Sequence, residues 1–313
     1  MSITERIDNI TNIAPAYHHA FLPAPKAVKI ELTGRCNYSC AFCARSQKLR
    51  VVEDIDKGFF ERILQEMRDD GVEEIGLFYL GESFMVPWLP EAIQYAKDIG
   101  FPYVFLTTNG SLASPKKVQA CMAAGLDSLK FSFNYADGEQ LKEIAKVKTA
   151  YFDKMVDNMR AARKIRDENN YSCGLYASYI EYDDEQQEKM LEAVNLINGY
   201  MDEVYSLPLY NQASLVTEEE QARGWAFTAG NRGRIGALRE PLPCWSVFTE
   251  GHITWDGKLS ACCFDHNDLL SMGDLNKEPF MDAWNSEKFI NLRLAHLRKD
   301  IKGTACEKCI AYA

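Results

Sequence analysis

The sequence predicts an α/β fold with a parallel sheet, followed by a small α+β module at the C-terminus. The first observation is that apolar, β-branched runs alternate with amphipathic segments over about 185 residues, which is typical of parallel sheets. The runs are 27–33, 74–80, 103–108, 128–133, 173–181 and 203–210. A sheet of this kind closes into a barrel or stays doubly wound, and in both cases ligands bind at the carboxyl ends of the strands.

The second observation is that helix-start signals stand between the runs. Asp56 precedes an amphipathic segment, and Asp184 precedes another. Ser114 and Pro115 open a third segment, which Gly125 closes. Aspartate and serine are favoured N-caps, proline is favoured in the first turn, and glycine is favoured just after a helix. These signals predict the helices of a strand–helix repeat.

Composition narrows the classes of function. The chain has 313 residues, of which 47% are hydrophobic and 26% charged, and a net charge of −10. A large hydrophobic core is therefore expected, and the acidic balance disfavours a general nucleic-acid binder. The N-terminus resembles no signal peptide and no apolar run is long enough to span a bilayer, so we expect a cytoplasmic protein without membrane contact. Ten cysteines in a reducing compartment are then better explained as metal ligands or catalytic thiols than as disulfides.

Three cysteines form a compact motif after the first run. Cys36, Cys40 and Cys43 follow the pattern C-x3-C-x2-C, with Phe42 before the last of them. Three thiolates on one loop can hold three corners of a cubane iron–sulphur cluster, which leaves one iron open to a chelating ligand. A zinc site with a distant fourth ligand is the alternative.

The motif CNYSCAFC resembles the signature of the radical S-adenosylmethionine (radical SAM) enzymes, in which SAM chelates the open iron of a 4Fe-4S cluster. Leu80-Gly81-Glu82-Ser83 resembles the Gly-Gly-Glu segment of that family, with Leu80 as a departure at the first position. The resemblance implies a partial (β/α)6 TIM-like barrel. It also implies SAM-binding residues at successive strand ends: Gly81, Glu82, Ser83, Thr108, Asn109, Ser132 and Asn134.

A second group of cysteines occupies the C-terminal part of the chain. The segment 252–263 is predicted to form a hairpin, with Asp256 and Gly257 as positive-φ turn residues and Cys262 on the return strand. A helix is predicted over 279–299. Hairpin, helix and C-x2-C resemble the Twitch module, a relative of the SPASM domain. This resemblance implies a second 4Fe-4S cluster on Cys244, Cys262, Cys306 and Cys309 that relays electrons, and zinc at the same thiolates is the alternative.

The other cysteines are predicted to have different roles. Cys121 and Cys173 are interpreted as small buried hydrophobes. Cys263, beside Cys262, is a packing residue, an alternative ligand or a candidate hydrogen-atom donor.

We predict four parts of the chain. They are an N-terminal extension (1–25), the radical SAM partial barrel (26–211), a linker or substrate-covering loop (212–243) and the auxiliary-cluster module (244–313). The covering loop carries arginines at 223, 232, 234 and 239 that could meet a carboxylate or phosphate.

The resemblance implies a reaction type. Reductive cleavage of SAM would give a 5′-deoxyadenosyl radical that abstracts a substrate hydrogen atom, and an auxiliary cluster accepting an electron favours a net two-electron oxidation of a small polar or sugar-like substrate. The spacing of the C-terminal cysteines is similar to that of the 2-deoxy-scyllo-inosamine dehydrogenases. The alternatives are a peptide-modifying maturase or epimerase and a non-catalytic iron–sulphur electron carrier. A flavodoxin- or ferredoxin-like electron donor is the expected protein partner. The segment 1–26 is too short to hold a peptide-recognition domain of the kind that many peptide-modifying members carry.

Overall fold

The computed structural model describes residues 2–182, 185–215, 227–230 and 232–309. Its strands are β1 (Ala27–Ile30), β2 (Glu74–Gly76), β3 (Tyr103–Thr108), β4 (Ser128–Ser132), β5 (Gly174–Ile180), β6 (Glu203–Leu207), β7 (Glu250–Ile253), β8 (Lys258–Ser260) and β9 (Ser271–Asp274). Its helices are α1 (Ile3–Thr11), α2 (Lys57–Asp69), α3 (Leu89–Asp98), α4 (Pro115–Ala123), α5 (Gly138–Ala145), α6 (Ala150–Asn169), α7 (Glu185–Asn195), α8 (Ser246–Thr249), α9 (Phe280–Trp284) and α10 (Glu287–Leu297). Within the described residues, no helix has the length and apolar character needed to span a bilayer.

One sheet contains all nine strands, in the order β6-β5-β4-β3-β2-β1-β7-β8-β9. The first six strands pair in parallel with their neighbours in chain order. This is the strand order of a (β/α) barrel that is left open after β6, because β6 stands at the edge of the sheet. The predicted partial barrel is therefore confirmed, and the carboxyl ends of β1 to β6 all lie at the same edge.

The C-terminal module extends this sheet. β7 pairs in parallel with β1, so that Ala27 lies opposite Glu250, and β8 and β9 continue antiparallel. The predicted hairpin is formed by β7 and β8, and of its two turn residues only Gly257 has a positive φ, of 82°. Cys262 lies two residues beyond β8 and not on the strand, which corrects the prediction. The pairing of β7 with β1 brings the C-terminal cysteines close to the barrel.

Two helices replace the single helix predicted over 279–299. The first is α9, and the second, α10, begins after Ser286, whose side chain accepts a hydrogen bond from Phe289 N. Serine is a better N-cap than helix-interior residue, which explains the break. Of the predicted helix starts, Asp56 caps α2 through Phe59 N at 2.8 Å, whereas the side chain of Ser114 makes no capping bond to α4. Asp184 lies outside the described residues.

The N-terminal extension contains a helix that covers the amino ends of two strands. Ile3 N donates to the Glu203 carboxylate at the start of β6 (3.0 Å). Arg6 pairs with Glu74 at the start of β2, and its guanidinium lies 4.0 Å from the centre of the Phe105 ring. Helix α1 therefore packs against the barrel at the end opposite to the predicted SAM residues.

Candidate functional site

The first cysteine motif lies on the loop that follows β1. Cys43 N donates to the carbonyl of Cys40 at 3.0 Å, which closes a tight turn inside the motif. Two more N–H groups of the loop donate to the carbonyls of Ile144 and Ala145, in the last turn of α5, at 2.9 and 3.0 Å. Because these bonds hold the backbone on both sides of Cys40, the loop presents Cys36, Cys40 and Cys43 from a fixed frame.

The environment of these thiols favours metal binding over nucleophilic chemistry. The Sγ of Cys40 lies 2.9 Å from the hydroxyl of Tyr135, whose ring stacks on Phe42 with a centroid separation of 6.2 Å. Burial, reinforced by the charge of Glu82, raises the pKa of Cys36 to about 11. A thiol with so high a pKa stays protonated at neutral pH and becomes a thiolate when a metal takes the place of its proton. The loop therefore fits iron better than a catalytic thiol.

Gly81 lies against the backbone of the cysteine loop. A Cβ placed on this residue would lie 1.9 Å from the carbonyl oxygen of Thr33 and 2.7 Å from that of Arg35. The next residue, Glu82, donates its N–H to the Arg35 carbonyl at 2.9 Å. Only glycine leaves room for this approach, so the segment after β2 and the loop after β1 are locked together at Gly81.

The carboxylate of Glu82 joins the ends of two strands. Its Oε1 accepts hydrogen bonds from Thr108 Oγ1 (2.9 Å) and Phe84 N (3.1 Å), and its Oε2 accepts one from Asn109 N (2.9 Å). The side chain is buried, and burial raises the pKa of the carboxyl against the opposing effect of these bonds. Glu82 thus positions the segment after β3, and its contact with SAM stays a prediction.

Two other predicted residues make contacts within the protein. Ser83 Oγ donates to the carbonyl of Leu77 at 2.6 Å and is buried. The side-chain amide of Asn109 donates to Asn37 Oδ1 at 2.9 Å, and its oxygen accepts a bond from the Ser111 hydroxyl at 2.7 Å. The bond from Asn109 to Asn37 ties the end of β3 to the cysteine loop. A direct contact of Ser83 or Asn109 with SAM stays a prediction.

Ser132 and Asn134 line a cavity of 140 Å³ together with Phe42 of the cysteine motif. The Oδ1 atom of Asn134 is buried and has no hydrogen-bond partner among the described residues. An unpaired buried acceptor costs about 1–3 kcal/mol, which a ligand that donates a hydrogen bond would recover. The donors of SAM, its ammonium and ribose hydroxyls, fit this position.

The C-terminal cysteines converge on one small cavity. Cys244, Cys262, Cys306 and Cys309 all line it. Cys309 N donates to the carbonyl of Cys306 at 3.1 Å, the same turn that Cys40 and Cys43 form. Burial raises the pKa of Cys306 to about 12. Within the described ranges, no three or more His, Cys, Asp or Glu side chains are grouped closely enough to hold a single metal ion.

Two hydrogen-bond donors that have no partner among the described residues line the same cavity. They indicate whether a cluster fits there. His296 is buried, and its Nδ1 accepts a bond from Cys244 N at 3.2 Å, so the proton of the neutral ring is on Nε2. Neither this Nε2 nor Trp245 Nε1 has a partner in the described part of the chain. The sulphur atoms of a cluster held by the four cysteines would supply acceptors, so the residues fit a 4Fe-4S cluster. The sequence alone indicates no role for His296, because the histidines of this chain do not have the spacing of metal ligands.

A larger cavity of 330 Å³ lies inside the barrel. Inward-facing residues of β1, β3, β4 and β6 line it, together with α1 and with Trp245, Cys263 and Phe264. Cys263 also lines the small cavity of the four cysteines, and Lys130 of β4 also lines the cavity of Ser132 and Asn134. The barrel cavity therefore borders both the cavity of Ser132 and Asn134 and the small cavity of the four cysteines. Cys121 and Cys173, in contrast, are buried in the hydrophobic core.

Two arginines of the predicted covering loop are bound to α1. Arg234 and Arg239 pair with Asp8 at 2.8 and 3.3 Å, and Arg239 also donates to Asn12. Arg223 lies outside the described residues. Because Arg234 and Arg239 already have an acidic partner, neither is an uncommitted site for a substrate anion.

Comparison of the sequence with known protein families agrees with a barrel followed by a cluster-binding module. Residues 30–194 match the Radical SAM superfamily, and residues 244–310 match the SPASM iron-sulfur cluster-binding domain. The chain belongs to the radical SAM superfamily. The expected cofactors, 4Fe-4S clusters and SAM, are thereby confirmed for this radical SAM protein, and it is an enzyme of that class.

Two curated relatives show the range of the superfamily. The chain is 29% identical over 299 residues to a PqqA peptide cyclase of Xanthomonas euvesicatoria, covering 87% of this chain and 77% of the relative. It is 33% identical over 120 residues to a probable GTP 3′,8-cyclase of Methanothermobacter marburgensis, covering 38% of this chain and 39% of the relative. The alignment thus spans less than half of the second cyclase.

Solved structures of radical SAM proteins share the fold. BtrN in complex with AdoMet and 2-DOIA superimposes with a TM-score of 0.59 at 15% identity, over 90% of this chain and 91% of BtrN. Streptococcus suis SuiB bound to the precursor peptide SuiA gives a TM-score of 0.64 at 14% identity, over 87% of this chain and 67% of SuiB. The shared fold extends over both the barrel and the C-terminal module.

Proposed function

We propose that this radical SAM enzyme removes two electrons from a small polar or sugar-like substrate held in the barrel cavity. The position of the cavity carries the proposal, because it shares Lys130 with the cavity of Ser132 and Asn134 and shares Cys263 with the cavity of the second cysteine cluster. Its 330 Å³ lies within the range of small-molecule sites.

The cysteines divide into two proposed ligand sets. Cys36, Cys40 and Cys43 hold the first cluster with one iron open to SAM. The second cluster is held by Cys244, Cys262, Cys306 and Cys309. When bound, these groups supply the electron that cleaves SAM to methionine and a 5′-deoxyadenosyl radical, and an acceptor for the electron that the substrate loses. The chain itself positions the substrate and excludes water around it.

The proposed oxidation balances in electrons and protons. The substrate gives one hydrogen atom from a C–H bond, which ends on 5′-deoxyadenosine. Loss of one electron and of the proton from the adjacent hydroxyl or amine then leaves a C=O or C=N bond. A flavodoxin- or ferredoxin-like protein in the cytoplasm is the proposed electron donor to the first cluster.

Peptide modification is the second candidate function. It is supported by the 29% identity to a PqqA peptide cyclase over most of this chain, and by the shared fold with SuiB, which was solved with its precursor peptide. A peptide segment would then enter the barrel cavity in place of a small molecule.

Product mass distinguishes these functions. Anaerobically reconstituted enzyme with SAM and dithionite is incubated with cyclitols, amino sugars or short precursor-like peptides, and both 5′-deoxyadenosine and products are measured by mass spectrometry. We expect a small polar substrate to give a product lighter by two hydrogen atoms. A product of unchanged mass would indicate a redox-neutral enzyme and overturn the oxidation, and turnover of peptides alone would select the second candidate.

A further inference from the structure

Among the residues that the structure describes, five charged side chains line the barrel cavity, and four of them are cationic. They are Arg6, Lys29, Lys130, Arg234 and Glu250. Since a charge in a cavity is costly unless it is paired, the partner of each cation decides what the cavity can bind.

Three of these cations already have an acidic partner. The pairs are Lys29 with Glu250, Arg6 with Glu74, and Arg234 with Asp8. Burial opposes ionisation of Glu250, but Lys29 and His252 outweigh it and lower the pKa of the carboxyl to about 2. Glu250 is therefore ionised and paired with Lys29 at 2.8 Å.

Lys130 is the remaining cation. It is half-buried on the inner face of β4, between Ser128 and Ser132, and its side-chain amine makes no hydrogen bond or ion pair among the described residues. Burial, with repulsion from Lys29, lowers the pKa of its amine to about 8.

Building on the proposed function, we infer that Lys130 binds an anionic group of the substrate, a carboxylate or a phosphate, inside the barrel cavity. An anion there would pair with Lys130, which has no acidic partner in the described part of the chain, and would recover the cost of placing this cation away from water. Lysine acts as a point charge with three donors, which suits either anion. Because Lys130 also lines the cavity of Ser132 and Asn134, the anchored end of the substrate would lie next to the predicted SAM site.

Chemical labelling of the wild-type holoenzyme tests this inference without turnover. The SAM-loaded, anaerobic enzyme is acetylated at pH 8, and the labelling rate of each lysine is read by peptide mass spectrometry. Probes are succinate, inorganic phosphate and neutral succinamide, and the exposed Lys116 is the control. An anion beside Lys130 stabilises its ammonium form, so we expect saturating anion to slow the labelling of Lys130 by about tenfold and to leave Lys116 unchanged.

The outcomes separate the possible ligands. Slowing by succinate assigns a carboxylate, slowing by phosphate assigns a phosphate, and succinamide should have no effect. The inference is overturned if neither anion slows labelling, or if SAM alone already protects Lys130, since Lys130 would then contact the SAM carboxylate. Calorimetry with the protecting anion gives a second readout, in which Lys130→Met weakens binding about tenfold and Lys130→Arg restores part of it. Because no product is needed, protection by an anion would stand even if the oxidation proposal failed.

Discussion

Replacing Gly81 by alanine tests the contact that locks the two loops of the first site together. The new Cβ would lie 1.9 Å from the carbonyl oxygen of Thr33, whereas real Cβ atoms essentially never come within 3.0 Å of another such heavy atom, so the segments must separate by about 1 Å or more. Overpacking of this kind costs about 1–3 kcal/mol. Loss of the bond from Glu82 N to the Arg35 carbonyl adds about 1 kcal/mol. We therefore expect Gly81→Ala to lower the free energy of unfolding by about 2–4 kcal/mol.

Urea unfolding of the anaerobic holoenzyme measures this loss, and Gly199→Ala is the matched control. A Cβ at Gly199 meets nothing within 4 Å, so that variant should stay within about 0.5 kcal/mol of wild type. The displaced loop should also bind its cluster poorly, because Cys36 follows Arg35 directly. If Gly81→Ala unfolds at the wild-type urea concentration and keeps its iron and SAM binding, the reasoning from the close approach is wrong.

Three further predictions concern the cofactors. Reconstituted enzyme should hold about eight irons, and a content of about four irons with one zinc would contradict the second cluster. Glu82→Ala should weaken SAM binding, measured by calorimetry, because the segment after β3 loses its anchor; loss of the first cluster instead would show that Glu82 holds the loop and not the SAM site. His296→Phe should lower the midpoint potential of the second cluster by roughly 60 mV, since removing a donor to its sulphur atoms destabilises the more negative, reduced state. Redox titration followed by EPR measures that shift, and an unchanged potential would mean that Nε2 does not reach the cluster.

The barrel strands were predictable because each one is a local run of apolar residues. The run over 103–108 coincides with β3, and the other runs extend beyond their strands by one to four residues at one or both ends. The polar residues that matter, such as Glu82 after β2 and Asn134 after β4, lie just beyond these runs, because a strand stops pairing where its chain turns toward the ligand edge. The convergence of four distant cysteines was implied by the family resemblance and not by any local pattern.

Long-range contacts were not predictable. The pairing of Ala27 with Glu250 joins segments more than 200 residues apart, and a short strand such as β7 has no sequence signal for its partner. The packing of α1 under the barrel depends in the same way on the distant Glu74 and Glu203. The polar position of Lys130, in contrast, was predictable from the sequence. In β4 the apolar residues alternate with Ser128, Lys130 and Ser132, which indicates a polar inner face.

The most direct test of the two-cluster account is the formation of 5′-deoxyadenosine from SAM under dithionite. Wild-type enzyme should form it, and Cys40→Ala should not, because Cys40 is proposed to hold the cluster that reduces SAM. The double variant Cys306→Ala with Cys309→Ala should still form it, provided that the soluble protein retains its first cluster by EPR. Some loss of stability is expected in the double variant, because a metal site contributes folding free energy to the module around it. Unchanged 5′-deoxyadenosine formation by Cys40→Ala, or its absence from wild-type enzyme with both clusters assembled, would contradict the account.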